Sequence, residues 1–245
     1  MKKFTIYFTN LFLLSVLCLT SVFSNELPDE YYSFRDDMYN FKDISALESE
    51  YQSCCKAANE KYTGYDLYLS LARYEYIMGR AYYYLKQNDK AGIHYDLGMD
   101  YAQKAIKEKN TAQSQLIYAE NISANCTVKP TSWVISNGAK IAGLAKKVIS
   151  MDKKNAAATY MLNAQDVYAP APFNNHKRGI KNMNAMLQNA TLEFGTDDEF
   201  NTKSAIGYAY IQLGDKENAK LWLKKSLEIY PNNQYVQGLL ADLDK

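Results

Sequence analysis

Apolar residues recur three and four positions apart along most of the chain from residue 43 onward, and alternating runs are almost absent. This spacing puts apolar side chains on one face of a helix, so it predicts an all-α chain. Short polar breaks such as Asn88-Asp89 and Gly214-Asp215 end the helices. The predicted helices lie near residues 43–60, 66–87, 90–109, 112–126, 132–151, 155–168, 176–194, 199–213, 216–230 and 233–244.

An internal repeat is clearest at the C-terminal end. In one predicted helix Gly207 lies three residues before Tyr210. In the next helix Ala219 lies four residues before Leu223, and Pro231 follows. Small residues let two antiparallel helices approach, the larger ones fill the space between them, and proline cannot continue a helix. The pattern therefore predicts a packed helical hairpin.

A second copy of this pattern lies upstream. Gly79 precedes Tyr82 by three residues, and Ala91 precedes Tyr95 by four. Weaker copies between the two place a small residue at intervals of 40, 44 and 44 residues, at Gly79, Ala119, Asn163 and Gly207. The repeat predicts a solenoid of four helical hairpins.

The first 24 residues have the pattern of a secretory signal peptide. They begin with two lysines, continue with an apolar stretch and end in Ser24, before a plausible cut at Asn25. We therefore expect an exported protein, periplasmic or secreted. An uncleaved membrane anchor is the alternative, and lipidation at Cys18 is a minor one because Leu rather than a small residue precedes it.

Composition limits the class of protein. The chain is 47% hydrophobic and 22% charged and has only 5 prolines, so it can bury a core. A formal net charge of +1 supplies no field that would hold nucleic acid. We expect an N-terminal helical segment at 25–64 and a solenoid at 65–245. The aromatic residues of the N-terminal segment could dock on the first hairpin or on a partner; they are Tyr31, Tyr32, Phe34, Tyr39 and Phe41.

The hairpins resemble the tetratricopeptide repeat (TPR) family, whose standard repeat has about 34 residues. The export signal, the stretched repeats and the Tyr-x-Pro loop after Tyr168 resemble the exported TPR component associated with bacterial TRAP transporters, over most of residues 65–231. That resemblance implies a non-enzymatic periplasmic partner of the solute-binding protein that feeds the transporter. It also implies a small apolar ligand in a central channel.

The candidate binding residues follow from the solenoid prediction. The first helix of each hairpin lines the concave side of a solenoid. On this basis Arg73, Tyr76, Arg80, Tyr83 and Tyr84 should point inward, as should Asn201, Ser204, Tyr208 and Gln212.

The side chains in and beside the longer links between helices are a candidate rim: Trp133, Tyr168, Phe173 and His176. Phenol rings suit a peptide or an amphipathic ligand, and the two arginines of the first hairpin suit a carboxylate.

Nothing in the sequence indicates catalysis, a metal or a cofactor. The chain has two histidines and no phosphate loop or hydrolase motif. His94 is expected to be solvated. Of the cysteines in the exported part, Cys54 or Cys55 could pair with Cys126, or all three could be small packing residues. The protein is therefore predicted not to be an enzyme.

Three functions remain open. The first is a module that binds another envelope protein. The second is a carrier of a small hydrophobic molecule, enclosed by helix 90–109 and loop 168–175. The third is a homo-oligomeric scaffold that uses an apolar stripe on the last helix. We favour the other interpretation of this stripe and predict that the last helix caps the final repeat. The stripe comprises Tyr235, Leu239, Leu240 and Leu243.

Overall fold

The computed structural model describes residues 29–245, so the predicted signal peptide lies outside the described residues. This part of the chain forms eleven α-helices and no strand. They are α1 (Asp29–Tyr39), α2 (Ile44–Lys61), α3 (Gly64–Tyr84), α4 (Asn88–Glu108), α5 (Ala112–Asn125), α6 (Thr131–Met151), α7 (Ala156–Tyr168), α8 (His176–Leu187), α9 (Thr196–Gln212), α10 (Lys216–Leu227) and α11 (Gln234–Leu243).

Successive helices pair as the repeat predicts. The hairpins are α3–α4, α5–α6, α7–α8 and α9–α10, and each helix from α1 to α10 packs against the next. Contacts between α3 and α5 and between α7 and α9 join neighbouring hairpins through their first helices. The predicted all-α solenoid of four hairpins is confirmed.

The small residues of the repeat lie where two helices touch. A Cβ on Gly207 would come within 2.7 Å of Cδ2 of Leu223, and one on Gly79 would overlap the ring of Tyr95. Real side chains do not approach this closely, so only glycine permits these helix crossings. The sequence pattern identified these four residues as repeat positions, and the structure shows which of them touch.

One predicted helix is too long. The prediction continued to residue 194, but α8 ends at Leu187. The side-chain oxygen of Asn189 accepts a hydrogen bond from the backbone N–H of Thr191 at 3.0 Å, which forms a turn in place of a helix. The backbone N–H of Glu193 then bonds the carbonyl of Lys154 at 2.8 Å, so this segment lies against the start of the same hairpin.

The N-terminal segment contains a helix that was not predicted. Helix α1 packs against α2 and α3 and also reaches the last repeat. The ring of Tyr39 stacks on Tyr230 at 4.8 Å between centroids and meets Phe200 edge-on at 5.3 Å. The side chain of Asn233 donates to the carbonyl of Tyr39 at 2.8 Å. Helix α1 therefore joins the first hairpin to the last, and we call this set of contacts the seam.

The largest apolar cluster lies at the seam. It combines residues of α1 to α4 with residues of α9 to α11, whereas separate clusters hold α5, α6 and α7 together and α7, α8 and α9 together. Helix α11 takes part through Val236 and Leu243, with Leu239 and Leu240 packed beside them. The stripe on the last helix therefore covers the final hairpin, which confirms the predicted cap.

The cysteines are packing residues. Cys54, Cys55 and Cys126 are all free, so the considered pairing with Cys126 is not formed. Cys54 lies on the buried face of α2, and the other two are half-buried. Between residues 29 and 245 none of the helices combines the length and the apolar character that a bilayer crossing requires.

Candidate ligand- and partner-binding site

The first helices of the hairpins share an inner side. On α3, Arg73, Tyr76 and Arg80 lie three and four residues apart and therefore on one face. Electrostatic interactions link them to Glu120 on α5 and Tyr160 on α7. We call the space that these side chains face, together with Asp197 and Asp198 of α9, the interior.

Helix α1 covers part of the interior. Tyr31 lies against the guanidinium of Arg73 at 5.5 Å, and Tyr39 lies against that of Arg80 at 5.0 Å. Phe34 and Tyr39 are 0% and 1% exposed. Burial at this level makes α1 a part of the core, so the predicted inward side chains of the first hairpin face this helix as well as the interior.

An ion pair fixes α1 to the last repeat. Arg35 donates to Asp197 at 2.8 Å and also pairs with Asp36 at 2.9 Å. Asp197 and Asp198 lie in the first turn of α9, where the helix dipole favours acids. Burial, and then the neighbouring Asp197, raise the pKa of Asp198 well above its usual range. Of the two carboxyls, Asp197 is therefore the one that balances Arg35.

Arg73 and Arg80 have no such counter-ion. Among the described residues, no carboxylate oxygen lies within 4.0 Å of either guanidinium. Arg73 is 6% exposed, donates to the side chain of Gln113 and has a buried Nε without a hydrogen-bond partner. Arg80 donates to the hydroxyls of Tyr76 at 3.0 Å and Tyr84 at 2.6 Å. Among the described residues, therefore, no carboxylate forms an ion pair with Arg73 or Arg80.

Glu120 is the carboxyl that faces both arginines from α5. Burial raises its pKa to about 7, although Arg73 and Arg80 lower it and Asp197 raises it further. Glu120 is thus partly protonated near neutral pH. The interior keeps an excess of positive charge, since Asp197 is paired with Arg35, while Asp198 and Glu120 hold protons more tightly than usual.

Six tyrosines gather beside the interior, and we call them the tyrosine cluster: Tyr83, Tyr84, Tyr160, Tyr168, Tyr208 and Tyr235. Tyr168 meets Tyr208 at 5.3 Å, and Tyr84 meets Tyr235 at 6.2 Å, between ring centroids. Tyr83, Tyr168 and Tyr235 are 38%, 46% and 42% exposed. The cluster joins α3, α7, α9 and α11 at a surface that water and partners can reach.

The predicted site residues divide into two groups. Arg73, Tyr76 and Arg80 lie in the interior, while the tyrosine cluster contains the predicted Tyr83, Tyr84, Tyr168 and Tyr208.

The remaining predicted residues lie outside these two groups. Phe173 follows Tyr168 by five residues, in the loop before α8, and is 74% exposed. Gln212 is exposed one turn beyond Tyr208, and His176 is half-buried at the start of α8. Trp133 instead packs into the cluster of α5, α6 and α7.

Sequence reasoning missed Arg35, Glu120 and Tyr160. Glu120 follows the small residue Ala119, in the position that Arg80 occupies after Gly79, so the repeat register could have identified it. The role of Arg35 had no local signal, because its partner Asp197 is 162 residues away.

The prediction that His94 is solvated was wrong. Its Nδ1 lies 2.6 Å from the carboxylate of Glu75, and its side chain is 17% exposed. The hydroxyl of Tyr51 donates to the same carboxylate at 2.7 Å, so Glu75 links α2, α3 and α4. Within residues 29–245, no three His, Cys, Asp or Glu side chains come together as metal ligands.

Comparison with known proteins supports the repeat assignment. Residues 202–233, from α9 through α10, match the family model of the tetratricopeptide repeat. No curated protein matches the chain. The matched segment contains the Gly207–Leu223 contact, and the other hairpins repeat its architecture. The chain is therefore an all-α, TPR-like solenoid, and the repeat match supports a TPR protein.

Proposed function

We propose that the protein is an exported, non-enzymatic binding module that docks another protein of the cell envelope through the tyrosine cluster and Phe173. TPR repeats commonly act in protein–protein interaction, and the repeat match supports this general role. The single observation that carries the specific proposal is the convergence of six phenols from four helices, three of them more than one third exposed.

The chemistry of this surface suits a protein partner. Tyrosine gives a broad apolar ring with a polar tip, and it is enriched in protein interfaces and their energetic centres. Phe173, five residues after Tyr168 in the chain, adds an exposed apolar ring. Because Tyr31 and Tyr39 of α1 already lie against Arg73 and Arg80, a docking partner would engage the tyrosine cluster and not the face of α3 that α1 covers.

Export and the partner's identity rest on the sequence. The signal-like residues 1–24 support a periplasmic or secreted location, and the resemblance to the TPR component of TRAP transporters makes a solute-binding protein the specific candidate. A module of this kind would work by holding that partner, with no cofactor.

Site-specific photo-cross-linking in the native envelope tests the docking surface. A benzophenone amino acid in place of Phe173 should cross-link to one envelope protein. The same replacement at Ile93, which is 59% exposed on α4, is the matched control and should give no such product. The cross-linked protein, once purified, should bind the wild type and lose about tenfold or more in affinity for the double variant Tyr168→Ala, Tyr235→Ala.

Two outcomes would refute docking at this surface. One is equal cross-linking at positions 173 and 93. The other is equal affinity of the purified partner for the wild type and for the double variant, with both proteins folded by circular dichroism.

A carrier of a small molecule is the second candidate function. It is supported by Tyr160, which links Arg80 in the interior to Tyr168 in the tyrosine cluster. Phenols therefore lie at the surface, at Tyr168, and also close enough to Arg80 to interact with its charge, at Tyr160. Extraction of purified protein, followed by mass spectrometry, tests whether it carries a bound molecule.

A further inference from the structure

The interior contains three arginines but supplies close carboxylate partners to only one of them. Arg35 has Asp197 and Asp36, while the guanidinium groups of Arg73 and Arg80 have no carboxylate within 4.0 Å among the described residues. Burying a charge without a counter-ion is costly. Arg73 is buried and Arg80 is half-buried, and their position on one face of one helix indicates a binding site for an anion.

The donors that remain at these arginines are suited to a carboxylate. The buried Nε of Arg73 has no hydrogen-bond partner. Arg80 uses two of its five N–H groups on Tyr76 and Tyr84, whose hydroxyls accept and so keep their own hydrogens to donate. Guanidinium and phenol donors that converge from one helix bind a planar anion well.

Glu120 does not neutralise the two arginines. Its carboxyl faces Arg73 and Arg80 from α5, and Asp197 and Asp198 from α9, with the phenols of Tyr31 and Tyr76 nearby. It forms no ion pair within 4.0 Å with a described residue. Since burial also favours its protonated form, Glu120 is a poor internal counter-ion at or below neutral pH.

The aromatic rings around Arg80 also indicate that the ligand has an apolar part. The guanidinium of Arg80 lies 5.0, 5.7 and 5.5 Å from the ring centroids of Tyr39, Tyr76 and Tyr84. Tyr160 and Tyr168 continue this aromatic lining toward the surface. Tyr39 is already covered by Phe200 and Tyr230, but Tyr76, Tyr84 and Tyr160 are only half-buried. An organic acid would bury its apolar part against these half-buried rings, whereas an inorganic anion would not use them.

We propose that the interior binds a small amphipathic carboxylate, whose head group lies on Arg73 and Arg80 and whose apolar body lies on the phenol rings that lead to the tyrosine cluster. This inference rests on the second candidate function and names the ligand class that a carrier would hold. Docking of a protein partner does not depend on it.

Calorimetric titration of the full exported chain with benzoate and octanoate tests the proposal. At least one of these acids should bind, while the uncharged benzamide and 1-octanol should bind at least tenfold more weakly. Arg80→Gln and Arg73→Gln should each weaken binding of the acid about tenfold or more. Arg178→Gln is the matched control, because Arg178 is an exposed arginine of α8 that already has a carboxylate partner, Asp166. This variant should bind the acid as the wild type does.

The pH dependence gives a readout that needs no arginine variant. Both acids stay ionised between pH 6 and pH 8, whereas Glu120 gains its charge in this range. The affinity of the wild type should fall about fivefold from pH 6 to pH 8, as a carboxylate forms beside the ligand's head group. Glu120→Gln should bind equally at both values, and at pH 8 more tightly than the wild type.

Three results would overturn the inference. Binding of neither acid to the wild type excludes the site. Equal binding of acids and neutral counterparts leaves a carrier but removes the anion preference. Undiminished binding by a folded Arg80→Gln variant removes the head-group site. None of these results affects cross-linking at position 173, so failure of this inference can be told apart from failure of docking.

Discussion

The seam and the middle of the solenoid bury their apolar residues in different ways. In the middle, each cluster combines helices that follow one another directly, from α5 to α7 and from α7 to α9. At the seam, α1 meets residues up to 194 positions away, and the same cluster holds both ends of the described part of the chain. The middle is therefore an open stack of neighbours, while the seam closes the stack and creates the interior.

The largest expected effect comes from breaking the seam. Tyr39→Ala removes a ring that is held between Phe200 and Tyr230, so it should lower the free energy of unfolding by about 3–5 kcal/mol. Hydrogen exchange should then accelerate in α1 and in α9 to α11, and change little in α6. Urea unfolding with native-state hydrogen exchange measures both.

Met161→Ala in the middle is the matched control for that variant. Met161 is 6% exposed in the cluster of α5, α6 and α7, so its loss should accelerate exchange in those helices and leave the seam protected. If both variants loosen the same helices, the seam and the middle are one unit and the contrast between them is wrong.

A second prediction concerns the helix contact inside the last hairpin. Gly207→Ala would place a methyl group 2.7 Å from the side chain of Leu223 and 3.2 Å from its backbone nitrogen. We expect a loss of about 1–3 kcal/mol in the free energy of unfolding, measured by chemical denaturation. A neutral or stabilising result would show that α9 and α10 can separate without cost.

Glu120 lies where the middle meets the seam, and its titration gives the third prediction. Burial raises its pKa from 4.5 to about 7 on folding, so the folded state binds more protons than the unfolded state between these values. Its contribution to stability therefore falls as the pH rises through this window. At acid pH Glu120 is protonated in the folded state and burying it costs little. As the pH rises through about 7 the buried side chain becomes charged, and the free energy of unfolding falls.

Glu120→Gln should remove this dependence. Above pH 7 the variant should be about 1–2 kcal/mol more stable than the wild type, below the roughly 3 kcal/mol of the full shift, because the side chain retains some contact with water. At pH 4 the two proteins should be equally stable. Thermal unfolding across the pH range measures the difference, and parallel curves for both proteins would contradict it.

The smallest effect is expected on the open surface of the middle. A Cβ on Gly143 of α6 meets no atom within 4 Å. Gly143→Ala should therefore stabilise the protein by about 0.5–1 kcal/mol, the gain in helix propensity alone. Gly238 of α11 is equally free of neighbours and is the matched control at the seam. Destabilisation by Gly143→Ala would reveal a contact on this face of α6.

Much of the fold could be predicted because its signals are local. The pairs Gly79–Tyr95 and Gly207–Leu223 lie 16 residues apart, within one hairpin, and they appear directly in the sequence. The candidate site was predicted only in part. Arg73 and Arg80 followed from the register of the first repeat, but the covering of their face by α1 did not. The spacing of Tyr31, Phe34 and Met38 is helical, so the existence of α1 was predictable although its partner was not.

The sequence by itself determined the helices, their pairing and the inner faces of the first helices, because each depends on side chains that are close in the chain. Only the tertiary structure decided that α1 joins the first hairpin to the last and that Asp197 pairs with Arg35. It also decided that Arg73 and Arg80 face Glu120. These relations depend on how small rotations accumulate from hairpin to hairpin until distant residues meet. No local pattern of residues encodes this accumulated rotation, so the charge balance of the interior could be read only from the folded structure.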